Sequence, residues 1–461
     1  MNASASQFDD PGLLAPAETS LLIDLYELTM AASYHRRGMD GPAQFELFTR
    51  RLPPQRDWLL AAGLGPTLRL LSELRFGDRE LAYLRELGFD PDFCERLAGL
   101  EFGLDVDAIP EGTVCFANEP LVRVTADRIE AQLVETLLLN QLNFQTMVAT
   151  KAALVVLAAG GGEPGAGESV VDFSPRRDHG IDAAMKVARS AAVAGCGGTS
   201  NVAAAMRYGL QPVGTMAHSY VMSFRSEREA FRAFLEDNPE RAVLLVDTYD
   251  TIDGVGNAIA ASRETGIALA GVRLDSGDLL ELARAARALL DGAGLEEVRI
   301  TASGDLEEGR IAELVAAQAP IDLWGVGTEL GTSRDSPVVN GVYKLVADVD
   351  EDEVWRPVAK RSAEKETIGG AKQVFRSHEG ATMAGDVIAG VGEAYKGEPL
   401  LVPAMRGGEI VHREPLDRIR ERTAAQLAAL PERLRLASAG EHPEPYPVRW
   451  SERLAARAEY R

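Results

Sequence analysis

The residues best suited to chemistry lie in the middle of the chain, where short apolar runs end in polar side chains. The runs are SVVDFSPR, PVGTMAHS, AVLLVDT, ALAGVRLDSGD, VRITASGD and IDLWGVGTE. Their ends carry Arg176 and Arg177, His218 and Ser219, Asp247 and Thr248, Arg273 with Asp275 and Ser276, Ser303 with Gly304 and Asp305, and Gly327 with Thr328. Arginine stacks on rings and grips carboxylates or phosphates. Asp275 and Asp278 can hold magnesium through a phosphate-rich substrate, since magnesium takes few protein ligands. Asp305 can bind ribose hydroxyls or cap the helix after it. Asp, Ser and Gly also fill ordinary turns, so no single end argues for a site. Six consecutive polar ends do. His218 stands alone among small residues, and its position by itself reads as structural.

An anionic substrate needs a local reversal of charge in this chain. Asp and Glu number 70 against 48 Lys and Arg, a formal net charge of -22. Such a balance excludes a general nucleic-acid binder, which needs a basic face to displace counterions. Between Phe173 and Arg225, six Lys or Arg face only Asp178 and Asp182, a basic island in an acidic chain. Within it, GCGGTSN precedes the helix-compatible VAAAMRYG, with Thr199 or Ser200 as its cap. Free N–H groups there can bind an anion, or the segment is an ordinary loop and cap. The chain lacks GKS/T, GxSxG and a GxGxxG that opens a strand-helix unit, so ATP would not be used through a P-loop.

The elements that position these residues follow from the spacing. The last four runs begin at 242, 268, 298 and 321, the spacing of a strand-helix repeat with parallel strands. Parallel strands carry working residues at their carboxyl ends. The strand count suggests a barrel, and an open sheet fits the same spacing. Four segments are expected: a flexible tail over 1–19, an N-terminal α/β domain over 20–129, the strand-helix array over 130–340, and a closing segment over 341–461. Within them, a helix is expected from residue 20 toward Gly38, a strand over 43–49 and a long helix over 130–159. The terminal Arg/Glu/Ala-rich stretch reads as helical.

At 461 residues, 46% hydrophobic and 26% charged, the composition is globular. Cys94, Cys115 and Cys196 lie far apart, with no CxxC pair, and suit a reducing compartment. No signal peptide or spanning apolar run is evident, so the expectation is a cytoplasmic protein without membrane association.

IDLYELTMAASY at 23–34 and FELFTRRLP at 45–53 closely resemble the start of nicotinate phosphoribosyltransferases. SPRRDHGIDAA, GGTSNVAAAMRYGLQPVGTMAHSYVMSF, VDTYDT, GVRLDSGDL, GVGTELGTS and VYKLV continue the resemblance in order, from about residue 20 to 400. The resemblance implies an irregular TIM-like α/β barrel with an N-terminal α/β domain, as in type II phosphoribosyltransferases, commonly in homodimers with sites at the interface. It implies transfer of the phosphoribosyl group of phosphoribosyl pyrophosphate to nicotinate, for NAD synthesis, with Mg2+ and with ATP hydrolysed through a phosphohistidine. Matched motif by motif, His218 is the phosphorylated residue. Tyr26, Thr215 and Arg273 bind nicotinate, Arg176 packs near the ring, and Thr328 binds the phosphoribosyl donor. Asp275 has a catalytic or magnesium role, and Ser303, Gly304, Asp305 and Gly327 are expected around the substrate. Nicotinamide-using relatives carry an acid where this chain has Ser200. A neutral serine beside helix N–H groups admits a carboxylate.

Overall fold

A computed structural model describes residues 13–39, 41–163, 165–349, 352–360, 367–435 and 444–459. Most of the expected tail lies outside these residues, and Pro16–Leu21 at its end is a short 3-10 helix. The strand-helix repeat is present. Its strands are β1 (Val170–Asp172), β2 (Gly198–Thr199), β3 (Val243–Leu245), β4 (Gly271–Leu274), β5 (Arg299–Ser303) and β6 (Leu323–Val326). They pair in the order β2-β1-β6-β5-β4-β3, all parallel. The runs are largely apolar because strands of a parallel sheet are covered on both faces. Local signals set the connecting helices. Asp250 accepts from Ile252 N and Asp253 N to start Thr251–Thr265, and Gly266 ends it in the left-handed region at φ 70°.

One expected strand is absent. In PVGTMAHS, Pro212 makes only an isolated parallel bridge to Thr199. Pro212 has no N–H to donate and Gly214 no side chain to pack, so the run stays irregular up to the helix His218–Met222. His218 therefore opens a helix instead of ending a strand. Among the described residues the six strands form one parallel α/β array, with no ladder between β2 and β3.

The chain divides into two compact units, one of Met1–Met147, Val338–Pro431 and Glu444–Arg461, the other of Val148–Pro337 and Glu432–Pro443. The helix expected over 130–159 is two helices, Arg128–Leu133 and Glu135–Ala159, and the unit boundary falls inside the second. By length and composition Glu135–Ala159 could cross a membrane, yet 83% of its apolar window is buried inside the structure, which makes it a core helix. Its Lys151 is buried with Glu308 and Asp335 within 2.5 and 2.9 Å of Nζ.

In the first unit the expected strand over 43–49 is the third of seven strands in an antiparallel sheet. Pro42–Thr49 lies between Pro120–Asp127 and Gly341–Val349, so residues from both ends of the chain share one sheet. After residue 341 the chain is largely strands, including Lys372–Glu379, Thr382–Gly390 and Val402–Arg406, with helices Leu416–Ala429 and Glu452–Glu459 near its end. Gly341–Val349 and Val402–Arg406 have partners distant in sequence, while Lys372–Glu379 and Thr382–Gly390 form a hairpin whose register shifts between Ser377 and His378.

A buried arginine fastens this segment. Arg376 donates from Nη2 and Nε to Asp386 at 2.6 and 3.0 Å, and from Nη1 to Val114 O and Gln426 Oε1 at 2.9 and 3.0 Å. Its guanidinium lies over Phe116, which stacks on Tyr446 with centroids 3.8 Å apart. Arg376→Met keeps volume and removes the charge, leaving Asp386 uncompensated. The expected loss is about 3–5 kcal/mol of unfolding free energy, measured by urea titration.

Candidate active site

The parallel register brings the ends of β4 and β5 side by side, with Arg273 opposite Thr301 and Leu274 opposite Ala302. Arg273 is the hub. It donates from Nε to Ser303 Oγ at 2.8 Å, from Nη1 to Thr215 Oγ1 at 3.4 Å and from Nη2 to Asp275 Oδ1 at 2.6 Å. Its guanidinium sits 5.2 Å from the centroid of the Phe173 ring. Arginine has five N–H donors, so three are engaged and one on each Nη remains for a ligand. That is the fork geometry that grips a carboxylate.

Asp275 is held from several sides. It accepts from Ser303 Oγ at 2.5 Å, and its own N–H donates to Asp247 Oδ2 at 3.0 Å. Ser276 Oγ donates to the same Asp247 oxygen at 2.6 Å. Burial works to raise the Asp275 carboxyl, but the Ser303 hydrogen bond, the charge and hydrogen bond of Arg273, and His218 together hold it below the usual carboxylate range. His218 Nδ1 lies 3.2 Å from Thr248 Oγ1, while Nε2 faces Asp275 Oδ2 at 3.9 Å and Asp247 Oδ1 at 4.0 Å. That Asp247 oxygen is buried and has no hydrogen-bond partner among the described residues.

Two glycines are required by close approach. A Cβ on Gly304 would lie 2.0 Å from Asp275 O, and one on Gly325 would lie 2.5 Å from the Phe173 ring. The first lets β5 turn beneath Asp275, and the second lets Phe173 rest on β6. At the end of β1, Asp172 accepts from Ser174 N, Ser174 Oγ and Thr199 Oγ1 at 2.9, 2.5 and 2.8 Å. Its carbonyl accepts from Ser200 N at 2.8 Å. Burial pushes the Asp172 carboxyl up against these hydrogen bonds.

Thr215, His218, Arg273, Asp275, Ser303 and Gly304 thus come together. Ser303 is buried and its hydroxyl is engaged within the cluster, so it positions Arg273 and Asp275 and presents nothing outward. Asp305 is exposed at φ 45°, and Glu307, not Asp305, caps the helix Glu308–Ala316. Gly327 precedes the short helix Thr328–Thr332, where Thr328 is half-buried. Arg176 is exposed, with no hydrogen bond or ion pair among the described residues. The cap of Val202–Tyr208 is Asn201, accepting from Ala204 N, in place of Thr199 or Ser200. Asp278 caps Leu279–Gly292 through Leu280 N and Glu281 N, which accounts for it without a metal. Tyr26 belongs to the other unit, at the start of Leu25–Arg36, and is 46% exposed.

Sequence reasoning passed over Phe173, Asp172 and the role of Asp247. Asp247 was visible as the polar end of AVLLVDT. The other two were not, since a Phe or an Asp beside an apolar run has no signature until its neighbours are known.

Family models match along the chain: the nicotinate phosphoribosyltransferase N-terminal domain over residues 21–143, the nicotinate phosphoribosyltransferase family over 169–367 and its C-terminal domain over 390–457. The chain is 48% identical over 440 residues to nicotinate phosphoribosyltransferase pncB2 of Mycobacterium tuberculosis, covering 94% of this chain and 92% of that protein. It is 44% identical over 364 residues to the nicotinate phosphoribosyltransferase of Bacillus subtilis, covering 77% and 73%. The crystal structure of human nicotinic acid phosphoribosyltransferase superposes with a TM-score of 0.79 at 28% identity, covering 95% of this chain and 99% of that one. The nicotinate-nucleotide pyrophosphorylase of Pyrococcus furiosus superposes at 0.71 and 26% identity, covering 92% and 96%.

Arg273→Met isolates the hub's electrostatic effect. With both Arg273 contributions gone and burial remaining, Asp275 should titrate higher than in the unaltered protein, followed by carbon-13 NMR of its carboxyl. An unchanged titration would mean that Ser303 and His218 set it without Arg273.

Proposed function

The chain belongs to the nicotinate phosphoribosyltransferase family of NAD biosynthesis, and from that premise we propose that it joins nicotinate to phosphoribosyl pyrophosphate in a ligase-type reaction coupled to ATP. The ring nitrogen of nicotinate forms a bond to the anomeric carbon as the bond to pyrophosphate breaks, giving nicotinate mononucleotide and pyrophosphate. The observation that carries the reading is Arg273, with two donors left beside an aromatic face. A flat ring bearing one carboxylate matches both features. Held over Phe173, with Thr215 beside the fork, the ring nitrogen gains its advantage through proximity and orientation. Ser200 leaves the start of Val202–Tyr208 without an acid that would repel the carboxylate. Gly327, Thr328 and Asp305, at neighbouring strand ends, are assigned to the phosphoribosyl donor, and Arg176 and Tyr26 to the ring.

Magnesium suits the carboxylates present. Asp247 Oδ1 is buried without a hydrogen-bond partner, and Asp275 Oδ2 faces the same side of His218. Among the described residues no group of three or more His, Cys, Asp or Glu comes together as a metal cage, and an ion held largely by substrate oxygens needs few protein ligands. When bound, magnesium neutralises charge on the departing pyrophosphate. His218 is assigned as the phosphoryl acceptor. With Nδ1 toward Thr248, Nε2 is the nitrogen that attacks the terminal phosphorus of ATP. An N–P bond forms, the P–O bond to ADP breaks, and water later returns the imidazole and phosphate. We also assign a homodimer, supported by the exposed apolar Ile181, Val202, Met206 and Met222. A cytoplasmic setting is supported by three buried free cysteines.

The test supplies magnesium, phosphoribosyl pyrophosphate, ATP and equal nicotinate, nicotinamide and quinolinate, and separates mononucleotides and ADP. Nicotinate mononucleotide with matching ADP supports the reading; nicotinamide mononucleotide would show that Ser200 does not select. The quinolinate product would reassign the chain to a dicarboxylate. His218→Ala should keep some ATP-independent transfer and lose ATP hydrolysis; normal hydrolysis would remove the phosphohistidine. Arg273→Lys keeps the charge but not the fork. It should raise the nicotinate KM roughly tenfold to a hundredfold, measured by steady-state kinetics.

A further inference from the structure

We propose that Glu27 is a positioning residue held as the neutral acid, whose proton seats the start of the Leu25–Arg36 helix and, with it, Tyr26 for nicotinate binding. The proposal rests on the reading that Tyr26 contacts nicotinate. The carboxyl of Glu27 is fully buried. The hydroxyl of Thr136 meets three polar groups: the N–H of Asp24 at 3.2 Å, Asp24 Oδ2 at 3.1 Å and Glu27 Oε1 at 2.5 Å. A hydroxyl has one hydrogen and two lone pairs. With both carboxylates ionised, that one hydrogen serves only one of them, and the other oxygen–oxygen contact is bare repulsion. A proton on Glu27 completes the set. Glu27 then donates to Thr136, the Asp24 N–H donates to Thr136, and Thr136 donates to Asp24.

The surroundings favour the neutral form. Glu27 Oε2 is buried with no hydrogen-bond partner among the described residues, a lighter burden for an acid carbonyl than for a carboxylate. The charged groups on the packed elements are engaged with one another. Glu135 accepts from Gln132 at 2.9 Å and has Lys344 Nζ at 3.8 Å. Arg128 pairs with Asp348 at 3.2 Å and lies over Tyr34. His35 pairs with Asp92 at 2.9 Å, and the Tyr343 hydroxyl donates to Ala131 O. None of these cations is paired with Glu27. Burial pushes the Glu27 carboxyl up to about 7, opposed by the Thr136 hydrogen bond and assisted by Glu135 and Asp24. Glu27 is therefore neutral below that pH and ionises above it. Asp24 and Glu27 then crowd one hydroxyl while the charge of Glu135 acts on Glu27 as well, and the helix start that carries Tyr26 shifts.

The test compares the full-length protein with Glu27→Gln, a permanently neutral isostere, from about pH 6 to about pH 8.5. If only the neutral form binds, the wild-type nicotinate KM should rise about tenfold per pH unit above 7, with kcat little changed. Glu27→Gln should hold the low-pH KM throughout, and taking the ratio to wild type cancels titration of the substrates. A parallel rise in Glu27→Gln would overturn the proposal. Infrared difference spectra give an activity-free readout: a protonated-carboxyl stretch present at pH 6, lost by pH 8.5 and absent in Glu27→Gln. Its absence from wild type at pH 6 would also overturn it. Thr136→Ser keeps the hydroxyl and should keep both signatures. A protein that makes no nicotinate mononucleotide at any pH but shows the infrared band would sink the functional reading and leave the neutral acid standing.

Discussion

A single guanidinium orders the site. Arg273 joins the end of its own strand to the next strand through Ser303, to an irregular run through Thr215 and to the following turn through Asp275. Its side chain is 12% exposed and that of Asp275 is 28% exposed, so neither charge is fully solvated. Removing either would leave the other poorly compensated in a region of reduced dielectric. The backbone is shaped around the pair: Gly304 lets the turn pass beneath the Asp275 carbonyl, and Gly325 admits the Phe173 ring under the guanidinium. What the hub leaves unengaged is two N–H donors beside an aromatic face.

Four carboxyls withdrawn from solvent are pushed in opposite directions, according to what they meet. Asp275 meets a guanidinium and a hydroxyl and is held low. Glu27 and Asp172 meet hydroxyls without a paired cation, and burial drives both up. Glu119, buried beside Asp386, is driven up as well, while Arg376 gives its bidentate contact to Asp386. A net charge of -22 says nothing about this division. It follows from where the few buried cations stand, because one guanidinium can compensate one nearby carboxylate fully and a second only in part.

Much was legible in the sequence because it is local. Short apolar runs at regular spacing define buried parallel strands, polar residues follow their ends, and Asp250 and Gly266 delimit a helix through their own backbone bonds. Arg273, Asp275, Thr215 and His218 could be singled out because each lies in a short run of recognisable pattern. Other features depended on partners far along the chain or on interrupted alternation. Gly341–Val349 pairs with Pro42–Thr49 and Val402–Arg406 with Asp105–Ala108, while the hairpin of Lys372–Glu379 and Thr382–Gly390 breaks its alternation at the register shift between Ser377 and His378. PVGTMAHS has a strand's composition, but a missing N–H at Pro212 and a missing side chain at Gly214 leave it a single bridge.

The sequence by itself determined the strand-helix repeat, the set of residues able to bind an anion, and the family, since motifs and periodicity are properties of neighbouring residues. Tertiary structure alone decided which of those residues face a ligand and which brace the site. Ser303 and Asp278 became internal partners, Asn201 took the cap expected of Thr199 or Ser200, Asp247 became the acceptor for the Asp275 N–H, and Phe173 entered from outside the expected set. The reason is that burial and hydrogen-bond partnership are set by strand register and by segments distant in sequence. A hydroxyl or carboxylate has the same identity in the chain whether it ends up free or engaged.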